Sequence, residues 1–148
     1  MMLVPCLLLA HQSVLARQAT PMDPQAKLAA AINAHRQEKS LTLLNRNPNL
    51  DKAAQAMADD IARTGNLEHQ DSQGRPLRAR VEAAGYQGWR RITENLAMGS
   101  TTGPETVGLW KESPGHREAM VRTDITEHGV GVAPSPEGTV WVWIGGRR

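Results

Sequence analysis

Three titratable side chains of this sequence could do chemistry together: His69, Glu94 and His116. Imidazoles are common metal ligands, and both imidazoles and carboxylates serve as general acids or bases. The three residues lie in separate segments, so their spacing does not show that they meet in space. No His-Glu-x-x-His helix or paired-cysteine spacing supports a metal site within one segment. Taken singly, His69 has the alternative of a solvated loop, and His116 that of pairing with Glu112 across a helical turn.

The segment from Trp110 to Arg117 is the densest in functional side chains. Ser113 followed by Pro114 predicts a helix that begins here, with serine as the N-cap. His116 would then lie in the first turn, where the helix dipole lowers the imidazole pKa and favours the neutral form that binds metals. Ser113 near His116 could also be a nucleophile, but the helix cap is the better explanation.

The elements that must position these residues are predicted from caps, breakers and periodicity. Asp23-Pro24 and Asn47-Pro48 each predict the start of a helix, and Gly65 predicts the end of the second one. Glu94 lies between apolar positions of an extended segment, so we expect it to be partly buried and to need a cation or hydrogen-bond donors. The predicted helices are 26–38, 47–65, 76–85, 103–110 and one after Pro114, and the predicted strands are 92–99, 129–133 and 139–144. This order indicates an α+β fold with a small sheet covered on its faces.

The composition is that of one soluble globular domain. The chain has 148 residues, of which 40% are hydrophobic and 22% are charged, and its formal net charge is +2. The dibasic pairs Arg90-Arg91 and Arg147-Arg148 are isolated, and no longer basic run occurs. We therefore expect no nucleic-acid partner.

Residues 1–22 differ in composition from the rest and resemble a signal peptide with a short lead. Arg17 is their only charged residue, and residues 3–10 form an apolar run that is too short to span a bilayer. Cleavage is expected after Ala16 or Ala19, although no basic residue precedes the apolar run. Cleavage would remove Cys6, the only cysteine, and leave no disulfide and no thiol nucleophile. We expect an exported protein, periplasmic or extracellular, with no membrane span after cleavage.

Several short motifs, in a fixed order, resemble those of the CAP superfamily (the SCP domain of cysteine-rich secretory, antigen 5 and pathogenesis-related 1 proteins), in its bacterial form. The domain would cover residues 23–148. The matching motifs are Asn33-x-x-Arg36, Ala53-Ala54-Gln55-x-Met57-Ala58, Glu68-His69, Arg80 with Ala84-Gly85-Tyr86, Glu94-Asn95-Leu96-Ala97, Trp110 with Ser113-Pro114-Gly115-His116-Arg117, Gly129-Val130-Gly131-Val132-Ala133 and the final tryptophan-rich strand.

This resemblance implies an α-β-α sandwich, with a three-stranded antiparallel sheet between helical layers. It also implies a cleft that holds two histidines and two glutamates. The histidines map to His69 and His116, and one of the glutamates maps to Glu94. Ser113 stands where eukaryotic relatives have the second glutamate, and Glu112 is one position away. Relatives can carry a divalent ion, often zinc, between the two histidines, so the resemblance makes His69 and His116 the expected ligands.

The resemblance also suggests roles for residues around this cleft. Asn95 is expected to line the cleft and tie loops together, and Arg117 to pair with a carboxylate. Arg80 is the expected cation for Glu94, which would keep that carboxylate ionised.

Three functions are compatible with these expectations. The first is a secreted, non-enzymatic protein whose cleft binds a divalent metal and a small or lipid-like ligand. The second is a metal-dependent, peptidase-like hydrolase with Glu94 as general base. The third is a module that contacts envelope components through its surface loops. We rank them in this order.

Overall fold

The computed structural model describes residues 22–148. The expected signal peptide, its cleavage sites and Cys6 therefore lie outside the described residues, except for Met22. The helices are α1 (Pro24–Glu38), α2 (Pro48–Thr64), α3 (Leu77–Ala83), α4 (Gly103–Glu112) and α5 (Pro114–Met120), and the strands are β1 (Asn45–Arg46), β2 (Arg91–Met98), β3 (Glu127–Ala133) and β4 (Val140–Arg147). None of the helices within 22–148 is both long and apolar enough to cross a bilayer.

The ends of the first two helices follow the predicted capping residues. Asp23 accepts a hydrogen bond from the backbone N–H of Ala26 at 2.8 Å, and Asn47 accepts one from Leu50 at 3.2 Å. Each bond satisfies a donor that has no partner inside its helix. Gly65 ends α2 with φ of +72°, a left-handed conformation that glycine adopts without steric cost. These three sequence predictions are confirmed.

The predicted cap of α5 is confirmed in position but wrong in mechanism. Ser113 precedes the helix with an extended backbone, and Pro114 is the first helical residue. The side chain of Ser113, however, makes no capping hydrogen bond. The start of α5 therefore relies on the preset φ of Pro114 and not on the serine hydroxyl.

The sheet corrects the expected strand arrangement. It has four strands in the order β1-β3-β4-β2 and is mixed, so the prediction of a three-stranded antiparallel sheet is wrong. β4 pairs antiparallel with β2 and β3, whereas β1 pairs parallel with β3. The additional strand has only two residues, Asn45 and Arg46, and too short a sequence to show alternation. The α+β class is retained.

The central strand β4 separates two hydrophobic cores because successive side chains point to opposite faces of a sheet. Val142 and Ile144 pack against α2 and α3 in one core, while Trp141 and Trp143 pack against α1, α4 and α5 in the other. All four side chains are buried. The sheet is therefore covered on both faces, as the order of the elements predicts.

Helix α2 lies directly on β3 because two glycines of the strand carry no side chain. A Cβ atom on Gly129 would clash with the backbone of Leu50 and Asp51, and one on Gly131 with the backbone of Ala54. The alanine-rich face of α2 completes this close approach, since Ala54 is fully buried.

The same helix also supplies hydrogen bonds to the outer edge of β3. Asp51 accepts from the backbone N–H of Val130 at 2.9 Å, and Gln55 accepts from that of Val132 at 3.1 Å. Gln55 also donates to the carbonyl of Val132 at 2.9 Å. Side chains of α2 thus bind the strand where β1 no longer covers it.

Arg36 joins α1 to the end of α5 inside the structure. Its side chain is almost completely buried and donates to the carbonyls of Thr42 at 2.9 Å, Met120 at 2.9 Å and Arg122 at 2.8 Å. None of the ion pairs within 22–148 includes it, and burial lowers its pKa. The cation is therefore stabilised by carbonyl dipoles, including one at the C-terminus of α5.

His128 is a buried neutral histidine in β3. Trp143 donates its indole N–H to Nδ1 of His128 at 3.2 Å, which requires that nitrogen to be unprotonated. Burial, together with the nearby charges of Arg46 and Arg36, lowers the pKa of His128 to about 4. The unfolded chain would bind a proton near pH 6.5.

We expect this histidine to make the fold sensitive to acid. The contribution of neutral His128 to the free energy of unfolding is fully present above pH 6.5. It is lost as the pH falls towards 4, because the unfolded state then binds more protons than the folded state. Between pH 7 and 4.5 the loss should be about 2–3 kcal/mol of unfolding free energy. Urea denaturation of wild type and His128→Gln at both pH values measures it. The raised pKa of His69 acts in the opposite direction in both proteins, so an equal pH dependence in the two would contradict the assignment.

Candidate functional site

A buried carboxylate and an exposed imidazole form the centre of the candidate site. Glu94 projects from β2 and its side chain is only 2% exposed. It lies 2.9 Å from Nδ1 of His69, whose side chain is 64% exposed. Because Glu94 orients the ring through Nδ1, Nε2 of His69 is left for an external partner. The structure therefore places these two predicted site residues in direct contact.

Arg80 of α3 holds Glu94 from the protein side. Its Nη2 lies 2.9 Å from Oε1 and 2.8 Å from Oε2 of the carboxylate, and only the first contact has hydrogen-bond geometry. The same nitrogen donates to the backbone carbonyl of His69 at 3.1 Å. Arg80 is the cation that the sequence predicts for Glu94, and it also fixes the loop that carries His69.

His116 forms a second wall of the site at the start of α5. It is half-buried, its ring centroid lies 6.3 Å from that of Trp110, and its Nδ1 is buried with no hydrogen-bond partner among residues 22–148. Asn95 donates from Nδ2 to the backbone carbonyl of His116 at 2.9 Å. Adjacent residues of β2 therefore hold both histidines: Glu94 holds the ring of His69 and Asn95 holds the backbone of His116.

The remaining residues of the predicted cleft are less involved. Ser113 is half-buried, and its hydroxyl makes no hydrogen bond with His69, Glu94 or His116. Glu112 is exposed. Arg117 donates to the carbonyl of Lys111 at 3.0 Å and belongs to none of the ion pairs within the described region, so the predicted carboxylate pair is not present.

The two histidines have opposite pKa shifts. The hydrogen bond that Nδ1 of His69 donates to Glu94 raises the pKa of His69, whereas burial and, secondarily, the positive charge at His69 lower the pKa of His116. At neutral pH the arrangement favours one imidazole that readily takes a proton beside one that stays neutral.

The imidazoles of His69 and His116 are the candidate donors for a metal ion at this site. Within 22–148, no group of three or more His, Cys, Asp or Glu side chains is placed to hold an ion. Glu94 is already bound to His69 and Arg80, so only the histidine nitrogens would be left to bind an ion. A carboxylate that orients a histidine through its second nitrogen is the usual arrangement around a ligating imidazole.

A cavity beside the site was not predicted from the sequence. It has a volume of about 210 Å³ and shares Arg80 with the site, but His69, Glu94 and His116 are not among its lining residues. Its walls come from α2, α3 and residues 71–75. From the sequence, small residues such as Ala53 and Ala83 are expected to pack between helices. The sequence therefore gives no indication of a cavity.

The fold and site can be compared with known proteins. An outer surface protein of Borrelia burgdorferi superimposes with a TM-score of 0.74 at 24% identity, covering 82% of this chain and 90% of that one. An extracellular, SCP-domain protein of Bacillus anthracis superimposes with a TM-score of 0.78 at 20% identity, covering 88% of this chain and 45% of that one. These likenesses show a shared fold.

The sequence comparisons identify the family. The profile described as "CAP: Cysteine-rich secretory protein family" matches residues 29–145, so the chain belongs to the CAP family. YkwD, an uncharacterized protein of Bacillus subtilis, is 30% identical over 118 residues, which are 79% of this chain and 44% of YkwD. The uncharacterized membrane protein YlbC of the same organism is 32% identical over 75 residues, which are 51% of this chain and 21% of YlbC. The chain therefore spans less than half of these curated relatives.

Proposed function

We propose that this chain is an exported CAP-domain binding protein whose His69/His116 cleft takes a divalent cation, zinc in the first instance. The observation that carries the proposal is the 2.9 Å contact between Glu94 and Nδ1 of His69. It orients the ring of His69 and leaves Nε2 to bind the ion. The second imidazole, that of His116, has a lowered pKa, which favours its neutral form. Two neutral imidazoles completed by water would bind the ion weakly and reversibly.

Export is supported by two independent features. Residues 1–22 have the composition of a signal peptide, and two relatives of the same fold are described as extracellular or as an outer surface protein. A protein placed there would meet small molecules, lipids and other envelope components. We propose that the bound ion helps to hold a small or lipid-like ligand at the cleft.

A metal-dependent hydrolase remains the second candidate. A bound divalent ion would supply a Lewis acid and an activated water. Glu94, however, would have to act as the general base although its side chain is only 2% exposed and Oε1 is already bound by Arg80 at 2.9 Å and by His69 at 2.9 Å. We therefore rank binding above hydrolysis.

The proposal is tested by calorimetric titration of zinc at pH 8, where protons compete least for His69. Wild type should bind one ion, and His69→Ala and His116→Ala should each weaken binding at least tenfold. His35→Gln, which changes a histidine of α1 outside the site, should bind like wild type. Equal affinity in all four proteins would reject the cleft as the metal site. Cleavage of a mixed peptide pool by the zinc-loaded protein, abolished in Glu94→Gln, would instead establish the hydrolase.

A further inference from the structure

The cavity next to Arg80 has the features of a binding site separate from the His69/His116 cleft. It lies between α2 and α3, and residues 71–75 form its third wall. Its volume of about 210 Å³ is below the roughly 300–1,000 Å³ of sites for drug-sized molecules, so it suits a small ligand. Alanines and Met57 give it an apolar floor, while Lys52 and Arg80 contribute positive charge.

Arg80 has hydrogen-bonding capacity that the cleft does not use. Its side chain is only 4% exposed, and Nη2 alone serves Glu94 and the carbonyl of His69. Nε and Nη1 are buried and have no acceptor among residues 22–148. Buried donors are rarely left without an acceptor, so a residue that lines a cavity with two such nitrogens points to an anionic or carbonyl group bound there.

The acidic residues of the cavity do not oppose an anion as strongly as their number suggests. Asp60 accepts from the backbone and hydroxyl of Ser72 and pairs with Arg63 at 2.7 Å. Asp71 pairs with Nε of Arg75 at 2.7 Å and also accepts the N–H of Arg75 at 2.9 Å. Both carboxylates are thus neutralised by partners of their own.

Lys52 supplies a positive charge at the cavity that no ion pair of the described residues compensates. It is exposed on α2, and it takes part in none of the ion pairs formed within residues 22–148. Once each aspartate is matched with its arginine, and Glu94 with Arg80, one positive charge remains at the cavity. This single excess charge beside an apolar floor favours a singly charged ligand over a phosphate.

We propose that the cavity binds a small monocarboxylate with a short apolar body, with Lys52 as its cation and Arg80 as its hydrogen-bond donor. The carboxylate would accept from the unused nitrogens of Arg80, which are buried and would have to turn towards the cavity on binding. A planar carboxylate matches the planar guanidinium. The apolar body would lie on Met57 and the alanines of α2 and α3. This site goes beyond the metal cleft and does not depend on it.

The direct test uses butyrate as the probe and butyramide as its neutral counterpart. Both are titrated into the ¹⁵N-labelled protein and followed by two-dimensional NMR. Butyrate should bind with millimolar affinity and shift the amide signals of Ala56 and Ala83, and butyramide should bind at least fivefold more weakly. Equal binding of the two probes, no binding of butyrate, or butyrate shifts confined to other surfaces would each overturn the proposal.

Two variants locate the site without disturbing Arg80. Ala83→Leu on the exposed side of α3 should fill the cavity and weaken butyrate binding at least tenfold, and Lys52→Gln should weaken it about fivefold. Lys27→Gln, the matched loss of an exposed lysine on α1, should have no effect. Unchanged binding in Ala83→Leu would place butyrate elsewhere. Zinc titration of the same variants should match wild type, so failure of either site is recognised separately.

Discussion

Replacing Arg36 with methionine should lower the free energy of unfolding by about 4 kcal/mol. Methionine keeps much of the side-chain volume but removes the donors that bind the carbonyls of Thr42, Met120 and Arg122. Each lost hydrogen bond to a charged donor is worth roughly 1.5–3 kcal/mol. Methionine also avoids the cost of burying a charge, so the net loss should be smaller than the sum over the three bonds. Urea denaturation monitored by tryptophan fluorescence measures the change.

The matched control is an arginine that lies on the surface. Arg78 pairs with Glu82 at 3.4 Å and its side chain is 73% exposed, so Arg78→Met should cost less than about 1 kcal/mol. Arg36→Lys should fall between wild type and Arg36→Met, because it keeps the charge but has a single nitrogen. If the free energy of unfolding fell no more in Arg36→Met than in Arg78→Met, the hydrogen bonds of the buried Arg36 would not stabilise the fold.

The second large effect is expected from Gly131→Ala. Its methyl group would lie under 3.0 Å from the backbone of Ala54 and Gln55, which cannot rotate away as a side chain could. Helix α2 would have to move off β3 and lose the hydrogen bonds between Gln55 and Val132. We expect a loss of at least about 4 kcal/mol, seen in the same denaturation experiment.

Gly108 of α4 provides the opposite case for the same substitution. No atom lies within 4 Å of a Cβ added there, and alanine is a better helix former than glycine. Gly108→Ala should therefore raise the stability by about 0.5–1 kcal/mol. If Gly131→Ala were as harmless as Gly108→Ala, the close packing of α2 on the sheet would be wrong.

Local rules predicted much of the fold and of the site. The caps at Asp23 and Asn47 and the stop at Gly65 depend on backbone groups a few residues away, so the sequence contains the whole interaction. Glu94 could be identified in the same way, because a carboxylate between apolar residues of a strand needs a counter-charge. Arg80 was the expected counter-charge, and the family motifs predicted that His69 and His116 lie in the same cleft.

The features that were missed depend on distant partners or on side-chain conformation. β1 consists of two residues, and the backbone N–H groups of Asn45 and of the next residue after the strand, Asn47, donate to Thr126 and His128 after α5, so no local pattern marks it. The hydroxyl of Ser113 does not cap α5, although residue type and position both favour a cap. The cavity beside Arg80 arises from the separation of α2 and α3, which residue types do not specify.

The side chains of α2 that bind β3 also bear on how this protein meets other proteins. A strand at the edge of a sheet normally offers free N–H and C=O groups to which a strand of another molecule can add, and this is a common route to aggregation. Here β1 covers the first residues of β3, and Asp51 and Gln55 occupy the backbone of Val130 and Val132. Intermolecular strand addition is thereby blocked on this side by two side chains of a helix. Replacing Asp51 or Gln55 would free backbone groups of β3 to which another strand could bind, while leaving the helix intact.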